Sequence, residues 1–284
     1  MLRAGSAVVA TLPEGAAIRA GELAGRVWHF TDSKRRSMAR RHMTRVLGQG
    51  GDVDGATRKM FAAYGRYWAE VLWAREKRVP AMAAAVETVG IEYLQRARDE
   101  GAGLIYAVPH VGNWEVAATA SVGIGVPVMA VAESLSNRRL SSWFVGLRSS
   151  FGIETVLAEP GRSLMKDLQG MVDRNGAAAL LCDRDLRGRG VPVEFFGEKT
   201  TLPAGPVSLA MRSGAALLPV ACFFLDGPGH RLVALPPIRL PEEGTRSERI
   251  AAGTQLVAAA LEELIRMAPS QWHLLQPNWP SDRA

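Results

Sequence analysis

The first eighty residues carry apolar positions at helical spacing and contain no stretch of alternating apolar and polar residues. We therefore predict that residues 14–80 are wholly helical, with one helix over 32–47 and a second over 54–78. In the second helix, large apolar side chains recur every three or four residues and form a stripe that consists of Phe61, Tyr64, Trp68 and Leu72.

From about residue 101 the pattern changes to short apolar runs that alternate with helical stretches. The predicted strands are 104–108, 127–132, 154–157, 178–182 and 216–224, with 191–196 and 231–235 as further edge strands. The predicted helices are 113–121, 137–150, 161–174, 204–213 and 246–267. This alternation is typical of an α/β protein whose mostly parallel central sheet is flanked by helices on both faces. We expect one domain over 1–284, with an N-terminal helical extension over 1–80 and an α/β core over 101–284.

The net charge of +6 and the pI of about 9.7 favour an acidic partner. Within residues 32–78, basic residues interleave with aromatic ones, which suits an anionic membrane surface, where each cation contributes about 1 kcal/mol. The alternative is an amphipathic helix pair that packs on the main domain and keeps a solvated basic face. No recognisable nucleic-acid-binding module is present, so nucleic acid is not an expected partner.

Three features bear on the compartment. Cys182 and Cys222 lie in apolar runs and give no disulfide framework, which favours a reducing compartment. The longest apolar run, 214–225, is too short to span a bilayer. The N-terminal segment matches a signal peptide only weakly, because its apolar core ends at Pro13. We expect a cytoplasmic protein that makes peripheral contact with a membrane.

The candidate chemistry centres on the stretch LIYAVPHVGNWEV, residues 104–116. A predicted buried strand delivers His110 to the rim of the sheet, and Asn113 is placed to cap the helix that follows. A histidine there can exchange protons near neutral pH, and Glu115, five residues on, can help to fix its tautomer. The alternative is a partly buried histidine beside a carboxylate that the helix dipole stabilises.

Charged residues also follow other predicted strands. Glu133 ends the second strand, and Asp183, Arg184 and Asp185 directly follow the fourth. Ligands of open parallel sheets bind at the carboxyl ends of the strands, and Arg148 in an intervening helix is placed to face the same cleft. Because buried charges are costly without partners, this cluster indicates a site, with a structural Arg–Asp network as the alternative.

Several familiar chemistries lack their motifs. The chain has no G-x-S-x-G elbow, no P-loop and no G-x-G-x-x-G turn after its first strand. Its histidines are not spaced as metal ligands, so neither a metal nor a resident cofactor is expected. One histidine with nearby acids and no evident nucleophile fits direct transfer of an activated acyl group to an alcohol. The amides of Gly112 and Asn113, or Arg148, are candidates for stabilising the oxyanion.

An ordered set of segments carries a resemblance to a known family. The segments are PHVGNWE, VAESL, LRSSFGIE, CDRDLRGRGVPVEFFGEKTTLPAGPVSLA, GAALLPV and QWHLLQPNW. In this order they resemble the lipid A biosynthesis acyltransferases, and among these most closely the phosphatidylinositol mannoside acyltransferases. The resemblance implies an enzyme held peripherally at the cytoplasmic face of the cell membrane. It would move a long-chain acyl group, usually palmitoyl, from acyl-CoA as co-substrate to a mannose hydroxyl of the glycolipid.

The resemblance also implies roles for individual residues. His110 matches the family's general base, with Asp183 as the first candidate to hold its imidazole and Glu115 as the second. The family typically has Glu where this chain has Asp183. The expected substrate-binding residues are Glu133, Arg148, Arg184, Arg187, Arg189 and Arg212.

Two further expectations concern the donor. Arg187 and Arg189 are expected to bind the CoA phosphates. Phe195, Phe196 and the strand 216–224 are candidates for the apolar groove that takes the acyl chain. The alternative functions are acylation of another glycolipid, of a lysophospholipid or of glycerol phosphate, and non-catalytic lipid binding.

Overall fold

The structure is a computed structural model that describes residue 6 and residues 9–133, 138–158, 163–185 and 188–283. Within that part, the side chains of residues 133 and 138–140 are not described. Within residues 14–84, the α-helices are α1 (Glu14–Thr31), α2 (Ser33–Leu47), α3 (Val53–Trp73) and α4 (Val79–Ala84).

Local chemistry sets where the helices α2 and α3 begin. Asp32 accepts a hydrogen bond from the backbone N of Arg35 (3.0 Å), and Asp52 accepts one from the backbone N of Gly55 (2.8 Å). Helix α1 crosses α3 closely, since a Cβ atom built at Gly25 would lie 2.1 Å from a backbone carbonyl oxygen of α3. Helix α3 ends five residues earlier than predicted, because Ala74 turns to an extended conformation.

Strands and helices alternate from there on. The strands are β1 (Val86–Val89), β2 (Leu104–Val108), β3 (Val128–Glu133), β4 (Ile153–Ala158), β5 (Ala177–Leu181), β6 (Val191–Phe195), β7 (Glu198–Leu202), β8 (Ala216–Phe224) and β9 (His230–Ala234). The remaining helices are α5 (Ile91–Glu100), α6 (Trp114–Gly123), α7 (Arg138–Ser150), α8 (Leu164–Asp173), α9 (Gly205–Ser213) and α10 (Arg246–Met267).

The main sheet has seven strands in the order β1-β9-β8-β2-β5-β3-β4. The five strands from β8 to β4 are parallel, and β9 pairs antiparallel with β8. Strand β2, in the middle, is buried along its whole length, with alternate residues facing two hydrophobic clusters on opposite faces. The predicted α/β fold with a mostly parallel sheet and an N-terminal helical region is therefore confirmed.

Both segments predicted as edge strands form strands, but neither lies at an edge of the main sheet. Strand β9 is not at the edge, because β1 pairs with it in parallel on its outer side. Strand β6 does not join the main sheet but forms a separate hairpin with β7. Phe196 and Gly197 connect β6 to β7 with φ values of 52° and 74°, as a two-residue turn of this kind requires.

The C-terminal segment after α10 returns across the carboxyl edge of the sheet. Val111 forms an antiparallel bridge with Trp272, and the backbone N of His273 donates to the carbonyl oxygen of His110 (2.8 Å). This return places Trp272 and His273 beside the strand ends where charged residues were predicted to meet. Every helix in the described ranges is too short or too polar to cross a lipid bilayer.

Candidate active site

The site forms where β2 and β5 end side by side. These strands pair in parallel with Val108 opposite Leu181, so the residues that follow them meet. The ring Nδ1 of His110 lies 2.6 Å from Oδ1 of Asp183, and the backbone N of His110 donates to Oδ2 of Asp183 (3.0 Å). One carboxylate therefore fixes both the ring and the backbone of the histidine.

Asp183 is fully buried and has further donors around it. The indole Nε1 of Trp272 donates to its Oδ2 (2.7 Å), and the side-chain amide of Asn278 donates to its carbonyl oxygen (3.0 Å). Burial alone raises the pKa of Asp183, but the charge of His110 and the hydrogen bonds from His110 and Trp272 lower it to about 2. An ionised Asp183 makes Nδ1 of His110 the protonated nitrogen and leaves Nε2 as the acceptor.

Glu115 does not contact the imidazole and is held elsewhere. Arg148 donates from Nε to both carboxylate oxygens of Glu115 (3.0 Å each) and from Nη2 to one of them (2.8 Å). Both residues are mostly buried. The second position of α6 directs Glu115 toward α7, away from His110, which corrects the expectation that it holds the ring.

A buried network supports the turn between His110 and α6. Asn113 caps α6, accepting from the backbone N of Glu115 and of Val116, and its amide donates to Oε2 of Glu70 (2.7 Å). Nε2 of His230 lies 2.8 Å from the same oxygen. Arg66 donates to the other oxygen of Glu70 (2.7 Å).

Arg66 is one of the basic residues within 32–78 that were expected to face a membrane or solvent, but its guanidinium is buried. It binds Glu70 and the backbone carbonyls of Leu225 and Gly229. The stripe on α3 also faces inward. Phe61 is fully buried against Trp28, and Tyr64 stacks on His273 with ring centroids 4.8 Å apart.

The other predicted substrate-binding residues are spread along the sheet edges. Glu133 ends β3 at the same edge as His110, but its side chain is outside the described part, as is the whole of Arg187. Arg184 is half-buried beside Asp183, and its Nε has no acceptor among the described residues. Arg189 is exposed.

Arg212 lies at the wrong end of the sheet for a contact with the reacting groups. It is in the last turn of α9, four residues before β8 begins. Strand β8 pairs in parallel with β2, with Ala216 opposite Leu104, so Arg212 is near the amino ends of the strands. His110 is at the carboxyl end, so Arg212 is remote from the reacting groups, and its predicted contact with the substrate stays a prediction.

A narrow apolar cavity of about 50 Å³ lies between the sheet and helices α6 and α7. Trp114 lines it beside His110, and Val128 and Ile153 line it near the amino ends of β3 and β4. The predicted groove at Phe195 and Phe196 is not there, because both rings are buried against tryptophans of the C-terminal segment.

Three residues that shape this site were not predicted as part of it from the sequence, namely Trp114, Trp272 and Asn278. Trp272 and Asn278 lie in the quoted segment QWHLLQPNW, but their contact with Asp183 spans about ninety residues. Trp114 stands within the opening motif, and its ring lies 5.3 Å from that of His110. The signal in the sequence that could have identified Trp114 was an indole N–H donor in the same motif as the candidate base His110.

Comparison with known proteins decides the family. The model of the bacterial lipid A biosynthesis acyltransferases matches residues 2–281. The chain belongs to this acyltransferase family. A phosphatidylinositol mannoside acyltransferase of Mycolicibacterium smegmatis is 38% identical over 252 residues, covering 86% of this chain and 79% of that protein. One of Mycobacterium tuberculosis is 34% identical over 284 residues, covering 98% and 87%.

The family membership confirms the resemblance drawn from the ordered segments. The protein is an O-acyltransferase, a member of the class that esterifies hydroxyl groups. The reaction of this acyltransferase has to be explained from three features at the carboxyl edge of the sheet. They are the pair of His110 and Asp183, the adjoining apolar cavity and the nearby arginines.

Proposed function

We propose that this acyltransferase moves a long-chain acyl group, palmitoyl by expectation, from acyl-CoA to a mannose hydroxyl of phosphatidylinositol mannoside, with His110 as general base. The observation that carries the proposal is the 2.6 Å contact between Nδ1 of His110 and Asp183. It leaves Nε2 of His110 to accept the hydroxyl proton, which is worth about 10²–10⁴-fold in rate. The names of the two mycobacterial relatives support the acceptor.

In the proposed step, the sugar oxygen attacks the thioester carbonyl carbon while His110 takes its proton. The tetrahedral intermediate then collapses, the carbon–sulfur bond breaks, and the thiolate of CoA leaves with the proton from His110. Asp183 stabilises the imidazolium formed between these events, because it is ionised and hydrogen-bonded to the ring.

The apolar lining of the narrow cavity supports an acyl donor. Its walls between the sheet and α6 and α7 are apolar, and it begins at Trp114, next to the base. A thioester at the mouth of this cavity would hold its carbonyl beside His110 with the chain along the strands. Arg184 and Arg189, with Arg187, are the proposed contacts of the CoA phosphates.

We place the enzyme at the cytoplasmic face of the membrane, held through helix α1 rather than through the stripe on α3. Helix α1 exposes Leu23, Val27 and Phe30 by 60%, 55% and 71%, on one helical face. Arg26 and Phe30 share a surface cavity with the cations Arg58 and Lys59. Exposed apolar residues ringed by cations fit an anionic lipid surface.

The acceptor test uses purified protein, labelled palmitoyl-CoA and vesicles that contain one candidate acceptor each. We expect transfer to phosphatidylinositol mannoside and not to glycerol phosphate, a lysophospholipid or an unrelated glycolipid. Transfer to one of these alone would overturn the acceptor, and lipid binding without any transfer would overturn the enzyme reaction.

The membrane proposal has its own test, which is sedimentation with anionic and neutral vesicles. Phe30→Ser should weaken binding to anionic vesicles by about tenfold, from the lost burial of one large apolar side chain. Leu256→Ser, at an exposed apolar position of α10, is the matched control and should bind as the unchanged protein does. Equal binding by both variants would show that α1 is not the contact.

A further inference from the structure

Acyl transfer places a negative charge on the carbonyl oxygen, which needs hydrogen-bond donors. The donors first expected from the sequence are already in use. The backbone N of Gly112 donates to Gln271 (2.9 Å), and that of Asn113 donates to Cys222 (2.9 Å). Nε and Nη2 of Arg148 both donate hydrogen bonds to the carboxylate of Glu115. Removing any of these donors from its partner would leave a buried acceptor unsatisfied.

Trp114 carries a donor that is not in use. Its indole Nε1 is buried and has no acceptor within the described residues. A buried donor without a partner costs about 1–3 kcal/mol, so such a group in a native structure needs an explanation. The ring lines the apolar cavity and lies edge-on to His110 at 5.3 Å between centroids, with an interplanar angle of 78°.

The indole is also held in place. It stacks on the buried ring of Tyr67 with centroids 4.3 Å apart and an interplanar angle of 29°. Trp114 is the first residue of α6, directly after the cap Asn113, so the network around Glu70 fixes its backbone. A donor that does not have to reorganise is the kind that stabilises a transition state most.

We propose that the Nε1–H of Trp114 donates a hydrogen bond to the thioester carbonyl oxygen and to the oxyanion that forms from it. This inference rests on the proposed acyl transfer. As the hydroxyl oxygen bonds to the carbonyl carbon, the π electron pair moves to the carbonyl oxygen, which Trp114 holds. When the pair returns, the carbon–sulfur bond breaks and the hydrogen bond weakens again.

Arg184 and His273 are competing donors. Nε of Arg184 is buried without a partner in the described part of the chain, but Arg184 does not line the apolar cavity. Both ring nitrogens of His273 are also buried without a partner among the described residues. However, His273 does not line the apolar cavity, and its ring stacks on Tyr64 rather than standing at the cavity mouth. Trp114 both lines the cavity and contacts the base, which is why the assignment goes to Trp114.

The test removes the N–H and keeps the ring. The amino acid 3-(3-benzothienyl)alanine, with sulfur in place of the indole N–H, is installed at position 114, and Trp114→Phe is made as a second variant. Turnover is measured as transfer to phosphatidylinositol mannoside and as hydrolysis of acyl-CoA, since both pass through the same oxyanion. The control is Trp143→Phe, a half-buried tryptophan in the neighbouring aromatic cluster.

We expect kcat to fall about 10²–10³-fold in the benzothienyl variant, as for loss of one oxyanion donor. The KM for acyl-CoA, the melting temperature and the pH profile should stay as they are, and Trp143→Phe should leave kcat unchanged. An unchanged kcat at position 114, a change in KM alone, or a loss of kcat in His273→Asn instead would overturn the assignment.

The two readouts, transfer and hydrolysis, allow the role of Trp114 to be tested separately from the proposed acceptor. If the unchanged protein hydrolyses acyl-CoA but acylates no mannoside, the acceptor fails, and a drop in hydrolysis in the benzothienyl variant still supports Trp114. If the unchanged protein acts on no acyl-CoA at all, the proposed donor and the role of Trp114 fall together.

Discussion

The protein contains two histidine–carboxylate pairs whose nitrogen–oxygen distances are nearly equal but whose surroundings differ. His110 and Asp183 are 2.6 Å apart, and His230 and Glu70 are 2.8 Å apart. The side chain of His110 is 14% exposed beside an open apolar cavity, whereas that of His230 is 2% exposed. The separation of a histidine from a carboxylate therefore does not by itself identify a catalytic pair.

The carboxylates differ as well. Glu70 is shared by a histidine, an arginine and an asparagine, so its charge is balanced inside the protein. Asp183 is bound to one histidine, whose Nε2 is left free of this carboxylate, and its other donors are uncharged. We infer that the pair of His230 and Glu70 maintains the fold, and we propose that the pair of His110 and Asp183 performs chemistry.

The largest expected effect is on turnover and comes from Asp183. Asp183→Asn removes the charge that holds the imidazolium, and we expect kcat to fall by about 10²–10⁴-fold with little change in KM. Steady-state kinetics with acyl-CoA would show this. Asp183→Glu keeps the charge and should recover most of the rate. Full activity in the Asn variant would mean that the pair is structural.

The next effect is on stability and comes from Glu70. Glu70→Ala leaves Arg66 buried without its partner, which should cost about 3–5 kcal/mol of unfolding free energy. Denaturant titration would measure it. The matched control is Glu87→Ala, which breaks the exposed pair of Glu87 with Arg231 and should cost less than about 1 kcal/mol. Equal losses in both variants would contradict the structural role of the network.

A smaller effect is the pH dependence that Asp183 gives to the stability of the protein. The pKa of Asp183 is lowered to about 2 in the folded protein, because the charge and hydrogen bonds of His110 and the bond from Trp272 outweigh burial. Its contribution is therefore complete above about pH 4 and is lost as the pH falls toward 2, by about 2 kcal/mol. Unfolding free energies across this range should fall less in Asp183→Asn than in the unchanged protein. Parallel slopes would contradict this.

The parts of the fold that follow from local pattern were predictable. The long apolar strands, the cap at Asn113 and the charged strand ends all appear in short windows of sequence. Strands β1 and β7 were not found, because VETV and EKTTL are short and largely polar. Without β1, the strand at 230–234 was assigned to the edge.

The site was predictable in its central residues and not in their surroundings. His110 and Asp183 meet because parallel strands end together, which a strand pattern implies. Trp272 reaches Asp183 only through the return of the C-terminal segment, and Glu70 meets His230 across 160 positions. Helical spacing in α3 shows a stripe but not which partner covers it, so the inward packing of Tyr64 needed the structure.

The most direct test of the central claim compares the same substitution in the two pairs. His110→Gln and His230→Gln are each assayed for transfer from labelled acyl-CoA per folded molecule, with unfolding measured in parallel. We predict that His110→Gln loses about 10²-fold or more of the rate and keeps its stability. His230→Gln should lose stability and keep its rate. The reverse pattern, or full activity in His110→Gln, would contradict the assignment of His110 as the base.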